Sequence, residues 1–258
     1  MSESAASTLT TLRVWRRQRF QHALFVPGAA VLTLASAVGT SPPTVVEAVV
    51  AGVTAWLLLG GFRLEDDLVD RVADAVDHPE RVLTRLSDAR ALGSVVAVVV
   101  LTGALLVAWL SGPLAGAIVV LLAGFLWLVA KARSVLGGSA EALVLLKYPV
   151  LIAVLANRLD IIVLTVMLLM YGVMCVDEAA DRPSFRPLAA TTCLASASAL
   201  LYLLWPSALP FTAVQLALVA AVCIGLWRTF SGPNTPWVRI GWMVWVVIQL
   251  LNFDLGHS

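Results

Sequence analysis

The sequence predicts an all-α polytopic membrane protein, nine transmembrane helices around a central cavity. Three observations carry that prediction. Sixty per cent of the 258 residues are apolar and the mean hydropathy is +0.93, which no soluble domain of this size needs. The apolar residues gather in runs of roughly 18 residues, about the length that crosses a bilayer as a helix. With nine such runs and a cytoplasmic N-terminus, the basic residues fall overwhelmingly on one side, as the positive-inside rule requires.

The runs, in order, are Phe20–Gly39, Thr44–Phe62, Ala91–Leu110, Pro113–Ala130, Ala140–Ala156, Ile161–Val176, Pro187–Trp205, Pro210–Trp227 and Trp237–Asn252. The first is too long for a secretory signal and has no A-x-A-like site ahead of a soluble domain. Turn formers separate the runs on the outer side: Thr40-Ser41-Pro42-Pro43, Ser111-Gly112-Pro113 and Pro206-Ser207-Ala208. The fifth and sixth nearly touch around Asn157-Arg158-Leu159-Asp160. Ahead of the first, residues 1–12 are expected to be disordered. Leu12–Gln21 carries Trp15 among arginines and reads as an interfacial segment. Nothing suggests a domain boundary, so residues 1–258 are read as a single transmembrane domain.

Under this topology fifteen of the seventeen basic residues face the cytoplasm: Arg13, Arg16, Arg17, Arg19, Arg63, Arg71, Arg81, Arg85, Arg90, Lys131, Arg133, Arg182, Arg186, Arg228 and Arg239. Arg158 lies outside and Lys147 within a helix. A net charge of +1 gives no reason to expect nucleic acid as a partner. Cys175, Cys193 and Cys223 lie in or beside apolar runs, with neither a disulfide framework nor a zinc spacing.

Against this hydrocarbon background stand two acidic clusters, at 65–81 and 177–182, which hold ten of the sixteen acidic residues. Each directly follows an apolar run, and both open onto the cytoplasmic side. If the second helix continues past Phe62, Asp66, Asp67, Asp70, Asp74 and Asp77 share an arc of about 100°, with Arg63 on the same arc. Asp177 and Asp181 are one turn apart and share a face. Crowded carboxylates repel, and Mg²⁺ relieves the repulsion: it takes oxygen ligands and typically joins one or two carboxylates to phosphates. The two clusters therefore suggest a shared site for a divalent cation and a polyanion. The competing reading is a solvated helix end whose acids pair with Arg71, Arg81 and Arg85.

These residues resemble the UbiA-type intramembrane prenyltransferase superfamily. Asp66-Asp67-x-x-Asp70-x-x-x-Asp74 matches the family's N-D-x-x-D-x-x-x-D motif after helix 2, with Asp for the leading Asn. His78-Pro79-Glu80-Arg81 resembles its downstream arginine–proline stretch, and Asp177-x-x-x-Asp181 its second motif after helix 6. The resemblance implies that Mg²⁺ held by Asp66, Asp70, Asp177 and Asp181 bridges to an isoprenyl diphosphate, with both clusters facing each other at the cytoplasmic mouth of the cavity. The allylic C–O bond then ionises and a small acceptor captures the carbocation. Asp67 and Asp74 are assigned a catalytic role assisting metal or acceptor binding.

Trp127-x-x-x-Lys131 resembles the family's Y-x-x-x-K element, with Trp for Tyr. Lys131 and Arg133, with Arg63, Arg71 and Arg81, are the candidate diphosphate-binding cations, set against ordinary anchoring or pairing with nearby acids. Lys147 interrupts a helix and reads as catalytic by position, against pairing with Glu141 or snorkelling. Aromatic faces stabilise cations, and Trp56, Trp127, Tyr148 and Tyr171 are the candidates to line a carbocation pocket. The other tryptophans near helix ends, Trp15 included, read as interfacial belt. Arg182-Pro183-Ser184 stands where many quinone-pathway members carry a glycine or threonine run, and no polar cluster for an aromatic acid is evident. Two readings thus stay open beside transfer to an acceptor. One is a terpene cyclase that closes the prenyl chain on itself at the same Asp–Mg²⁺ site. The other is a non-catalytic transporter or membrane scaffold, which predicts discontinuous helices with ionisable residues near the midplane.

Overall fold

The computed structural model describes residues 3–20, 22–37, 43–86, 89–181, 188 and 192. Among them there is no strand, and the helices follow the expected order. Five of the nine apolar runs each coincide with one helix and the fifth with two; the last three lie outside the described residues, apart from Leu188 and Thr192.

The chain opens with α1 (Glu3–Arg19). Residues 3–12, expected to be disordered, form its first part. Its later face is tied to the rest of the unit through Trp15, Gln18 and Arg19, and such packing stabilises short helices more than propensity does. The first run is α2 (His22–Ala37). The second is α3 (Val45–Val69), which starts on a capping box: Thr44 Oγ1 accepts from Glu47 N–H and the Glu47 carboxylate accepts from Thr44 N–H at 2.8 Å. At 1.5 Å per residue, these 25 residues span roughly 37 Å, more than the ~30 Å hydrocarbon thickness. The surplus, about 7 Å, is little more than one turn, and the last five residues of α3 carry Glu65, Asp66 and Asp67.

A short α4 (Arg71–Asp77) follows, then a 3₁₀ turn at Val82–Arg85. The helical ladder continues across the α3–α4 junction. Asp70 N–H donates to Asp66 O at 2.9 Å and Asp74 N–H to Asp70 O at 2.8 Å. The expected continuation past Phe62 is therefore present, and the acids keep their helical spacing.

Helices α5 (Arg90–Ser111) and α6 (Pro113–Lys131) form a tight hairpin. Gly112 turns the chain at φ 94°, a backbone conformation that disfavours residues with a Cβ, and Pro113 starts α6 where no N–H is needed. Gly116 lets the two backbones close up: a Cβ there would lie 2.6 Å from the Ala104 carbonyl oxygen. Likewise, Gly103 makes room for Leu58, packing α5 on α3.

After α7 (Arg133–Leu136), the fifth run is not one helix. It is broken into α8 (Gly138–Val144) and α9 (Lys147–Ala156). Pro149 has no N–H to give Leu145, and the chain tightens there with three-residue bonds from Leu146 to Leu143 and from Tyr148 to Leu145. Asn157, in the left-handed conformation, ends α9, and Asp160 Oδ1 accepts from Val163 N–H at 2.9 Å to open α10 (Ile161–Asp181). The fifth and sixth runs are thus separate.

Two compact units emerge: Met1–Ala30 with Thr44–Val135, and Val31–Pro43 with Leu136–Ser258. In the first, α3 packs on α5 and α5 on α6, with Leu58, Phe62, Val107 and Val119 fully buried. In the second, α9 packs on α10, with Leu151, Ile152 and Val163 fully buried. Val45–Val69, Arg90–Ser111, Pro113–Lys131 and Ser139–Ala156 are long and apolar enough to cross a membrane.

Candidate active site

The first unit gathers the first acidic motif and most of the candidate cations at one end of α3. Its four motif carboxylates have different surroundings. Asp66 and Asp70 are half-buried, one turn apart on the α3–α4 face. Asp70 is paired with Arg133 from just beyond α6. Asp74 accepts from Arg81 Nη1 at 2.5 Å, so the arginine of the downstream stretch folds back onto the motif. Here the competing reading of acids paired with loop arginines is realised at Asp74.

Asp67 is turned inward and is 5% exposed. Its Oδ2 accepts from Trp15 Nε1 at 2.8 Å, and its Oδ1 from Arg19 Nη2 at 3.0 Å. Arg63 Nη2 lies 3.3 Å from the same Oδ1. The carboxylate expected to assist catalysis is thus surrounded by donors from α1 and α3. Trp15, expected in the interfacial belt, is itself 6% exposed and packs with Phe20, Leu64, Leu83 and Leu92. The sequence reading missed this role. The available signal was the Trp15–Arg19 spacing, which puts an indole N–H and a guanidinium on one helical face.

The other cations divide. Arg71 donates to the Leu86 carbonyl at 3.1 Å, which ties the loop to the motif. Lys131 is exposed at the end of α6, with Nζ 5.6 Å from the Trp127 ring centre. Trp127 is 50% exposed on that helix. Trp56 is half-buried against Phe20, with ring centres 5.4 Å apart.

In the second unit, Asp177 and Asp181 stand on the last turns of α10 with i, i+4 spacing, and their side chains lie outside what the structure describes. Lys147 is 5% exposed at the start of α9, its Nζ 5.6 Å from the Tyr148 ring centre. Tyr171 donates its hydroxyl to the Ala142 carbonyl at 3.0 Å, joining α10 to α8.

Among the described residues no three His, Cys, Asp or Glu side chains converge as a complete metal cage. Mg²⁺ does not need one, since one or two carboxylates suffice when phosphate supplies further oxygens. Asp66 and Asp70 stand one turn apart, both half-buried, and Asp70 is paired with Arg133.

No protein-family model and no curated protein matches the sequence. A solved structure does resemble it, that of a digeranylgeranylglyceryl phosphate synthase in membranes, at TM-score 0.56 and 15% identity over 96% of this chain and 98% of that one. That synthase is a UbiA-type intramembrane prenyltransferase. Together with its long apolar helices, the likeness makes this chain an integral membrane protein. At the level of architecture, the expectation of such a fold holds: the chain shares the fold of that synthase.

Proposed function

We propose that this protein is a Mg²⁺-dependent prenyltransferase that ionises an isoprenyl diphosphate within the membrane and passes the prenyl cation to a small acceptor. One observation carries the reading. Asp66 and Asp70 stand one turn apart where α3 outruns the hydrocarbon, with Arg133 and Arg81 already on that acid-bearing end.

Asp66 and Asp70 are proposed to hold metal in the first unit, and Asp177 and Asp181 are proposed as metal ligands in the second. Bound there, Mg²⁺ would neutralise charge on the departing diphosphate. Arg133 is half-buried and can exchange its carboxylate partner for a phosphate oxygen without leaving the site, and guanidinium suits both. Lys131, at the exposed end of α6, adds a second cation within two residues of Arg133. The leaving group thus departs at the polar end of the helices while the prenyl chain lies along apolar wall. Excluding water there protects the cation from hydrolysis. Trp56 and Trp127 are proposed to line that wall in the first unit, and Tyr148 and Tyr171 are proposed to stabilise cationic charge in the second. Lys147, buried at the start of α9, is proposed as a functional cation of the second unit.

The test is turnover by the purified full chain in detergent, with Mg²⁺ and C10, C15 or C20 diphosphates, with and without added aromatic or glycerol-phosphate acceptors. Pyrophosphate release that requires both Mg²⁺ and an acceptor supports transfer. A terpene hydrocarbon or alcohol formed with no acceptor would make the chain a cyclase instead. Absence of turnover with every diphosphate, or undiminished turnover in EDTA, refutes the proposal.

A further inference from the structure

The second carboxylate of the first motif, Asp67, is held unlike its neighbours. We propose that Asp67 is a positioning residue: it latches α1 onto the acid-bearing end of α3 and so sets the register in which Asp66 and Asp70 meet a metal diphosphate. This rests on the function proposed above.

The geometry of α1 supplies the argument. Trp15, Gln18 and Arg19 lie at i, i+3 and i+4, on one face. Trp15 and Arg19 both donate to Asp67. Between them Gln18 brackets the loop after α4: its Oε1 accepts from Val82 N–H at 3.0 Å and its Nε2 donates to the Glu80 carbonyl at 3.4 Å. The neighbouring Arg81 then holds Asp74. One face of α1 therefore grips the motif at Asp67 and, through the loop, at Asp74, and Asp70 lies between the two grips. Leu83 secures the loop by burying itself in the cluster of Trp15, Phe20, Leu64 and Leu92.

The consequence is rotational. Asp66 precedes Asp67 by about 100° on the helix, and Asp70 differs from it by about 60°. Fixing Asp67 against α1 sets both of the others to the same side of it on the helix, where they are half-buried. Asp67 cannot join them on a metal without giving up its donors. Its two oxygens already face an indole N–H and two guanidinium groups at 5% exposure, and abandoning buried donors is costly. It acts through its neighbours, as groups that orient metal ligands do.

The test uses the full chain in detergent, with Mn²⁺ plus inorganic pyrophosphate as the probe, read by electron paramagnetic resonance. Hydrogen exchange of the α1 amides is the second readout. Trp15→Phe keeps the ring and removes the N–H; Asp67→Asn removes the charge. Both should speed α1 exchange by about ten- to a hundredfold, the loss of a charge-assisted bond. Both should weaken Mn²⁺–pyrophosphate binding about tenfold while keeping its stoichiometry. The double variant should be no worse than the more damaging single one, because both break one latch. Asp70→Ala should do the reverse: metal lost, α1 exchange as in the wild type.

Wild-type exchange in Trp15→Phe would show that there is no latch. Faster exchange with unchanged Mn²⁺ affinity would leave Asp67 a structural tie only. Loss of metal stoichiometry in Asp67→Asn but not in Trp15→Phe would make Asp67 a ligand. If Asp67→Asn does not fold, Trp15→Phe decides. If the wild type binds no Mn²⁺–pyrophosphate, the proposed function falls and the positioning role with it, and the exchange readout still reports the latch.

Discussion

Replacing Gly116 by alanine tests the packing that carries Arg133 to Asp70. The added Cβ would lie 2.6 Å from the Ala104 carbonyl oxygen and 2.8 Å from the Ala108 Cβ on α5, where ordinary contact begins at 3.4 Å. The shortfall is about 0.8 Å, and one of the opposing atoms is helix backbone, which cannot rotate away. The hairpin must splay, and overpacking of this kind costs about 1–3 kcal/mol. Alanine also gains up to about 1 kcal/mol over glycine in helix propensity. Gly124→Ala in the same helix cancels that gain, because its Cβ would meet nothing within 4 Å. The difference between the two variants is then the steric cost alone. At about 2–4 °C per kcal/mol for a chain of this size, Gly116→Ala should unfold roughly 2–12 °C below Gly124→Ala. Thermal unfolding of both in the same detergent measures it. A Gly116→Ala midpoint equal to or above that of Gly124→Ala would refute the close α5–α6 approach.

Three further outcomes follow from the proposed site. Asp70→Ala and Asp177→Ala should each abolish prenyl diphosphate turnover with little change in unfolding temperature; near-wild-type rates in both would remove the metal reading. Chelation by EDTA should stop turnover and added Mg²⁺ should restore it, measured as pyrophosphate release. Lys131→Ala should weaken diphosphate binding about ten- to a hundredfold, the loss of one charge-assisted bond, while Arg90→Ala, exposed at the start of α5, should not. Equal small losses in the two would make Lys131 an anchor resting on Trp127.

Much of the first unit was legible in the sequence because its signals are local. Apolar length gave α3, α5 and α6 to within a residue or so at their starts, and Ser111-Gly112-Pro113 marked the turn between α5 and α6. The break between α8 and α9 was missed because apolar length is blind to a missing N–H at Pro149. Trp15 was misjudged for a related reason. A tryptophan beside arginines near a span suits an interfacial belt, and only a partner 52 residues away makes it a buried donor.

The sequence by itself determined that this is a membrane chain of apolar helices, and that its carboxylates gather at helix ends with i, i+4 spacing. Hydrophobic length and helical period are properties of neighbouring residues, so they survive without a partner. Tertiary structure alone decided what each carboxylate of the first motif does. Asp66, Asp67, Asp70 and Asp74 are alike in type and lie within nine residues of one another. Yet Asp67 is buried against Trp15 and Arg19, Asp70 meets Arg133 and Asp74 meets Arg81. The physical reason is that burial and electrostatic pairing depend on which distant side chain arrives at each helical azimuth, and no spacing along the chain encodes that arrival.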